Sequence, residues 1–110
     1  MSFDQTTINA VWEKAQEING YDSNIYRKDY CGAWIEKDKY GDRNHAFGWE
    51  IDHETTKANG GDDSLSNLRP LHWRNNASRG NGRLNTQTPA AKSVGNQNHY
   101  LDDDGHYYAV

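Results

Sequence analysis

One cysteine, two prolines and a single methionine stand among 110 residues. The lone Cys31 cannot close an internal disulfide and cannot by itself build a structural zinc site. No run approaches the ~18 apolar residues that a membrane span needs. The first residues, MSFDQTTINAVWEK, lack the basic segment followed by an apolar one that marks a secretory signal. A cytoplasmic setting with no membrane partner is therefore expected. Hydrophobic residues make up only 34% of the chain, so a small core is expected, filled largely by four Trp and seven Tyr. The length suits one compact domain and leaves no room for two.

The net charge of −4 argues against a nucleic-acid partner, but its distribution argues for one. Residues 1–66 carry a balance of −6, residues 67–92 of +5, and residues 93–110 of −3. Arg69, Arg74, Arg79 and Arg83 recur every four or five residues in the basic stretch. Such a stripe can bind phosphate on an acidic protein; it is also what a solvated helix face looks like.

Hydrophobic periodicity predicts an N-terminal helix over 7–18, with Ile8, Val11, Trp12, Ala15 and Ile18 on one face. Asp4 or Thr6 can cap it, and Gly20 lies just past its end. A short strand is expected near Ala33–Ile35, followed by a polar, turn-rich connection. Trp49 and Ile51 alternate with Glu50 and Asp52, which predicts a strand over Trp49–His53. KANGGDDSLSN reads as a loop. LRPLH reads as a short extended piece, because Pro70 disfavours helix at Arg69 and cannot sit in a central ladder. WRNNASR reads as a short helix ended by Gly80. Residues 84–110 are polar and without clear period, and read as a loosely ordered tail in which Tyr100, Leu101, Tyr107 and Tyr108 could dock on the body.

Strand, loop, strand and helix would bring Asp52, His53 and Asn76 together. Phosphodiester hydrolysis needs an activated water and relief of developing charge. A histidine is suited to take the proton near neutral pH. A divalent cation can stabilise the transition state and the leaving oxygen. One carboxylate and one amide oxygen suit Mg²⁺, which keeps several waters. Side chains of adjacent strand residues point to opposite faces, so a bend or bulge at the strand end is expected to turn Asp52 and His53 toward one phosphate. Each residue also has a plainer role: a hydrogen-bonded histidine, a turn-capping aspartate, a helix-capping asparagine.

Asp52-His53, Gly60-Gly61, Asn67-Leu68 and Asn76, in this order, resemble the signature of the HNH endonuclease family in its H-N-N form. The resemblance covers about residues 27–83. It implies an α+β fold with a ββα-metal core at 27–83, preceded by a helix and connection at 1–26 and followed by a polar, flexible tail at 84–110. It makes His53 the general base, and Asp52 and Asn76 the ligands of one divalent cation, Mg²⁺ or Mn²⁺. Asn67 joins the catalytic set as the residue whose amide holds the loop and orients His53. Arg79 would contact phosphate, with Arg69, Arg74 and Arg83 completing a nucleic-acid surface. Many members frame the core with two Cys pairs around a zinc; here Lys28 and Cys31, then His72 and Asn75, stand in those places. At most Cys31 and His72 could bind, so no structural zinc is expected, and packing of Trp34, Trp49 and Trp73 must hold the core.

His72 is expected as a packed or hydrogen-bonded residue and Cys31 as a small buried hydrophobe. NAS at 76–78 and DDDG at 102–105 match a glycosylation sequon and a calcium loop only superficially. The expected activity is metal-dependent hydrolysis of double-stranded or branched DNA, alone or with protein partners in a DNA-processing complex. The alternatives are a catalytically inactive nucleic-acid-binding module and a small regulatory interaction protein.

Overall fold

The computed structural model describes residues 3–110. Two helices, α1 (Gln5–Trp12) and α2 (Trp73–Arg79), accompany three antiparallel sheets in an α+β arrangement among the described residues. One sheet pairs β1 (Tyr26–Lys28) with β2 (Trp34–Glu36), and another pairs β3 (Trp49–His53) with β4 (Leu68–His72). The third runs β5 (Ala91–Val94), β6 (Gln97–Leu101), β7 (Tyr107–Ala109). The Cα radius of gyration is 13.4 Å, against ~13 Å for a compact chain of this length.

Asp4 caps α1 by accepting the Thr7 N–H at 2.8 Å. The helix lays Ile8, Val11 and Trp12 on Ile35, Trp49, Ile51 and Leu68, and the Trp12 and Trp49 rings meet at 5.4 Å. The expected helix over 7–18 is too long by half. After Trp12 the chain tightens, and Gln16 then pairs with Lys28 as an extended bridge. The cause is Arg27, only 4% exposed. Its guanidinium takes the carbonyls of Glu13 at 3.1 Å and Ala15 at 3.2 Å, and pairs with the Glu13 carboxylate at 2.9 Å.

The strand that alternation indicates at Trp49–His53 forms, and the extended LRPLH piece pairs with it as a strand, in register from Trp49↔His72 to His53↔Leu68. β4 is paired on one side only, where Pro70 is tolerated. α2 follows without a loop. Its start is capped by His72, whose Nδ1 accepts the Arg74 N–H at 3.0 Å, and it stops at Gly80 with φ +53.

The expectation for residues 84–110 is corrected, because three strands lie there. Two buried asparagines join this sheet to the body. Asn98 accepts the Trp34 N–H at 2.7 Å and donates to the Trp34 and Ala46 carbonyls. Asn75 accepts the Ala91 N–H at 2.8 Å and donates to the Ala91 carbonyl at 3.0 Å. Each amide acts as a peptide group would in a ladder. Tyr100 closes a second apolar cluster with Ala33, Ala91 and Trp73. The DDDG segment is a turn in which Asp102 accepts the N–H groups of Asp104 and His106. Of the three tryptophans expected to hold the core, Trp49 is central and Trp73 flanks the second cluster. Trp34 is buried apart from both, against Tyr21 and beneath the Lys28 ammonium.

Candidate functional site

Asp52, His53 and Asn76 line one cleft of about 280 Å³ at the end of the β3–β4 pair, with Thr56, Lys57 and Gly80 around them. No bend is needed. The register continues through His53 without a bulge, and both residues line the cleft. Asp52 lies on the α2 side, while the His53 ring stands 6.0 Å from Phe3, which packs on the α1 cluster.

Asp52 is 6% exposed. Its Oδ2 accepts from Arg69 Nε at 2.8 Å and Arg79 Nη1 at 2.9 Å. Oδ1 accepts no hydrogen bond from the described side chains. Asn76 shows the same division. Its amide nitrogen donates to Glu50 Oε1 at 2.9 Å, which sets the amide orientation, and its oxygen has no partner among the described residues. Glu50 is in turn held by Arg43 through two contacts of 2.7 and 2.8 Å. Burial works to raise the Glu50 carboxyl, but the Arg43 and Asn76 hydrogen bonds outweigh it and hold it below its ordinary range.

The His53 Nε2 lies 2.7 Å from Asp63 Oδ1, and the Lys57 ammonium 3.1 Å from Asp63 Oδ2. These contacts lower the Asp63 carboxyl. With Nε2 carrying the proton toward Asp63, Nδ1 keeps the free lone pair. Asn67 ties the connecting loop. It accepts the Thr55 N–H at 2.9 Å and donates to the carbonyls of Thr55 at 3.0 Å and Asp62 at 2.8 Å. A Cβ at Gly61 would stand 1.7 Å from the Thr55 carbonyl oxygen, so this turn requires glycine.

The arginine stripe does not form one face. Arg79, read from the sequence as a phosphate contact, is instead an internal tie between Asp52, the His53 carbonyl and the Gly82 carbonyl. Its side chain is only 5% exposed. Arg69 shares Asp52 with it and reaches toward Glu54 at 3.9 Å. Arg74 points elsewhere, its guanidinium 4.2 Å from the Tyr100 ring centre. Arg83 joins Arg69 and Arg79 along a groove of about 790 Å³ beside the cleft.

The frame where Cys pairs were sought is closed by a carboxylate. Asp29, 2% exposed, accepts the N–H groups of Cys31 and Ala33 on Oδ1 and those of His72 and the Asn75 amide on Oδ2. Burial pushes its carboxyl up, and the four donors pull the other way. Cys31 is half-buried rather than enclosed, with its thiol pushed up to about 12 by burial. His72 is fully buried; Nε2 donates to the Ala46 carbonyl at 2.8 Å and Nδ1 is the α2 cap. No group of three or more His, Cys, Asp or Glu able to hold a metal occurs among the described residues.

Sequence reasoning missed Glu50, Asp63, Asp29 and Thr56. Glu50 was within reach, since two residues before Asp52 on a strand is the same face. Asp63 gave no such signal, because it meets His53 and Lys57 only through the fold of the intervening loop, and Asp29 gave none, because half of its donors come from distant His72 and Asn75. No helix among the described residues is long and apolar enough to cross a membrane. Compared with models of protein families, with curated proteins and with solved structures, the chain has no match.

Proposed function

We propose that this chain is a metal-dependent endonuclease of the HNH type, with a ββα-metal core formed by β3, β4 and α2, hydrolysing DNA phosphodiester bonds. The observation that carries the reading is the shared cleft of Asp52, His53 and Asn76, in which one oxygen of each prospective ligand is left free. In both ligands the other atom is held by a charged partner, which is how outer contacts orient a metal-binding group. The donor set is carboxylate and amide oxygen, which fits Mg²⁺ or Mn²⁺. Such a cation, when bound, supplies the positive field that offsets charge developing on the phosphate.

The chain's own residues do the rest. His53 takes the proton from the attacking water at Nδ1, while Asp63 holds the opposite nitrogen and stabilises the charged ring. Asn67 fixes the loop that carries Asp63. Arg83 lies along the adjoining groove and meets the phosphates of the bound strand.

The test is conversion of supercoiled plasmid to nicked or linear forms with Mg²⁺, Mn²⁺ or EDTA, beside His53→Ala. Cleavage should require a metal and fall about 10²- to 10⁴-fold in the variant. Equal rates in both proteins would remove the base assignment. One observation favours a second reading, a nucleic-acid-binding module without catalysis: Asp52 Oδ2 is already neutralised by two guanidinium groups. That reading expects DNA binding with no cleavage under any metal.

A further inference from the structure

The groove beside the cleft continues around the molecule. A second cavity of about 540 Å³ adjoins the one of about 790 Å³, and the two share Tyr30, Glu54 and Arg69. Along the joined groove run Arg83, Arg79, Arg69, Lys28 and Lys14. Glu54 is its one exposed acid, since Asp29 is buried. Asp52 ties Arg69 and Arg79 from beneath, so Arg83, Lys28 and Lys14 remain against Glu54, a local positive excess on a chain of net charge −4.

Tyr30 stands midway along it and is 74% exposed. The Arg69 guanidinium approaches its ring at 5.9 Å. The side-chain amides of Asn81 and Gln87 also line the groove and make no hydrogen bond with described residues. Thr56 is 7% exposed, and its Oγ1 is a buried hydroxyl without a partner among the described residues. Thr56 and Asn81 line both the groove and the cleft of His53, so the two spaces meet there.

We infer that this groove takes an unpaired DNA strand, with a base stacked on Tyr30 and the backbone led past Thr56 toward His53. A cationic track with an exposed aromatic ring is how proteins hold single strands. Base faces in a duplex are covered by their neighbours, so a stacking ring serves only an unpaired base. Free amides beside the ring can meet base edges, and the Thr56 hydroxyl gains the acceptor it lacks. The inference deepens the nuclease reading by naming its substrate class, and rests on that reading for the word substrate alone.

The experiment is fluorescence anisotropy of the wild-type chain in EDTA with a labelled 20-nucleotide single strand and with the same sequence as a duplex. Tyr30→Ala changes an exposed side chain and should weaken single-strand binding by about 5- to 150-fold while leaving duplex binding within about twofold. Thr56→Val should also weaken single-strand binding without lowering the unfolding midpoint. Equal loss on both DNA forms, no loss on either, or no single-strand binding at all overturns the inference. Since no cleavage is measured, plasmid cutting with Tyr30-independent binding would sink this inference and leave the nuclease reading standing. Tyr30-dependent binding without cutting would do the reverse.

Discussion

Between pH 7 and 5, acid should weaken this fold chiefly through one ring. His72 is fully buried at the junction of β4 and α2, and burial lowers its pKa from 6.5 to about 4. Its Nε2 donates to the Ala46 carbonyl and its Nδ1 accepts from Arg74, so the neutral ring is already satisfied at both nitrogens. A proton added at Nδ1 would face the Arg74 N–H and remove the cap of α2. Because the folded pKa is depressed, the unfolded chain binds the proton more readily. The stabilisation is thus fully present above pH 6.5 and is lost as pH falls toward 4. The linkage gives roughly 2 kcal/mol lost between pH 7 and pH 5, and about 3 kcal/mol when both states are protonated. Urea unfolding at pH 7, 6 and 5 measures it, and His72→Gln should flatten the slope. Proton NMR of the His72 ring in the wild-type chain provides a second reading. Stability unchanged between pH 7 and 5, or an equal slope in His72→Gln, would refute the argument.

Replacing Asp29 by Asn turns an amide N–H toward two of its four donors and should cost about 2–5 kcal/mol in urea unfolding, with the wild-type midpoint unmoved by zinc or EDTA. A loss under 1 kcal/mol would mean the carboxylate is incidental. Gly61→Ala drives a methyl into the Thr55 carbonyl and should destabilise by about 1–3 kcal/mol. Its hydrogen exchange should rise across residues 54–66, and unchanged protection there would count against the tight turn. Asn98→Leu strands the Trp34 N–H and carbonyl, while the Ala46 carbonyl keeps His72 Nε2, and should cost about 2–4 kcal/mol. Limited proteolysis should then cut within residues 91–109 first, and native-like resistance would show that the amide does not hold the sheet.

Where apolar residues alternate or recur, the fold was readable. β3 and α2 appear where Trp49/Ile51 and the WRNNASR segment place them, and Gly80 ends the helix. Where the organising residue is polar, it was not. α1 stops early because the Arg27 guanidinium takes the carbonyls of Glu13 and Ala15, with which the helix would have continued, and that contact leaves no mark in the local pattern. β6 alternates inside and outside, but the inward positions are Asn98 and Tyr100, so a search for apolar period sees only a polar tail. The site divides the same way. Asp52, His53 and Asn76 could be named as candidates from their types and order, and the fold brings them to one cleft. Of their hydrogen-bond partners, Glu50 was within reach on the face of Asp52, whereas Arg69, Arg79 and Asp63 are set by tertiary contacts that spacing does not encode.

The same contrast explains how a chain with one cysteine keeps its helix and loops in place. A tetrahedral zinc joins two chain turns by taking two ligands from each. Asp29 joins the corresponding segments in this chain, receiving two N–H groups from the turn at Cys31–Ala33 and two from the start of α2. Asn75 then extends the junction to β5 and Asn98 ties β6 to β2, so three sheets and a helix meet through side-chain groups that imitate backbone. A carboxylate so placed has no spare lone pair for a metal, and each donor around it is an N–H that cannot ligate one. The junction that fixes α2, and with it Asn76 and Arg79 beside the cleft, therefore combines these hydrogen bonds with the packing of Trp73 on Ala33, Ala91 and Tyr100.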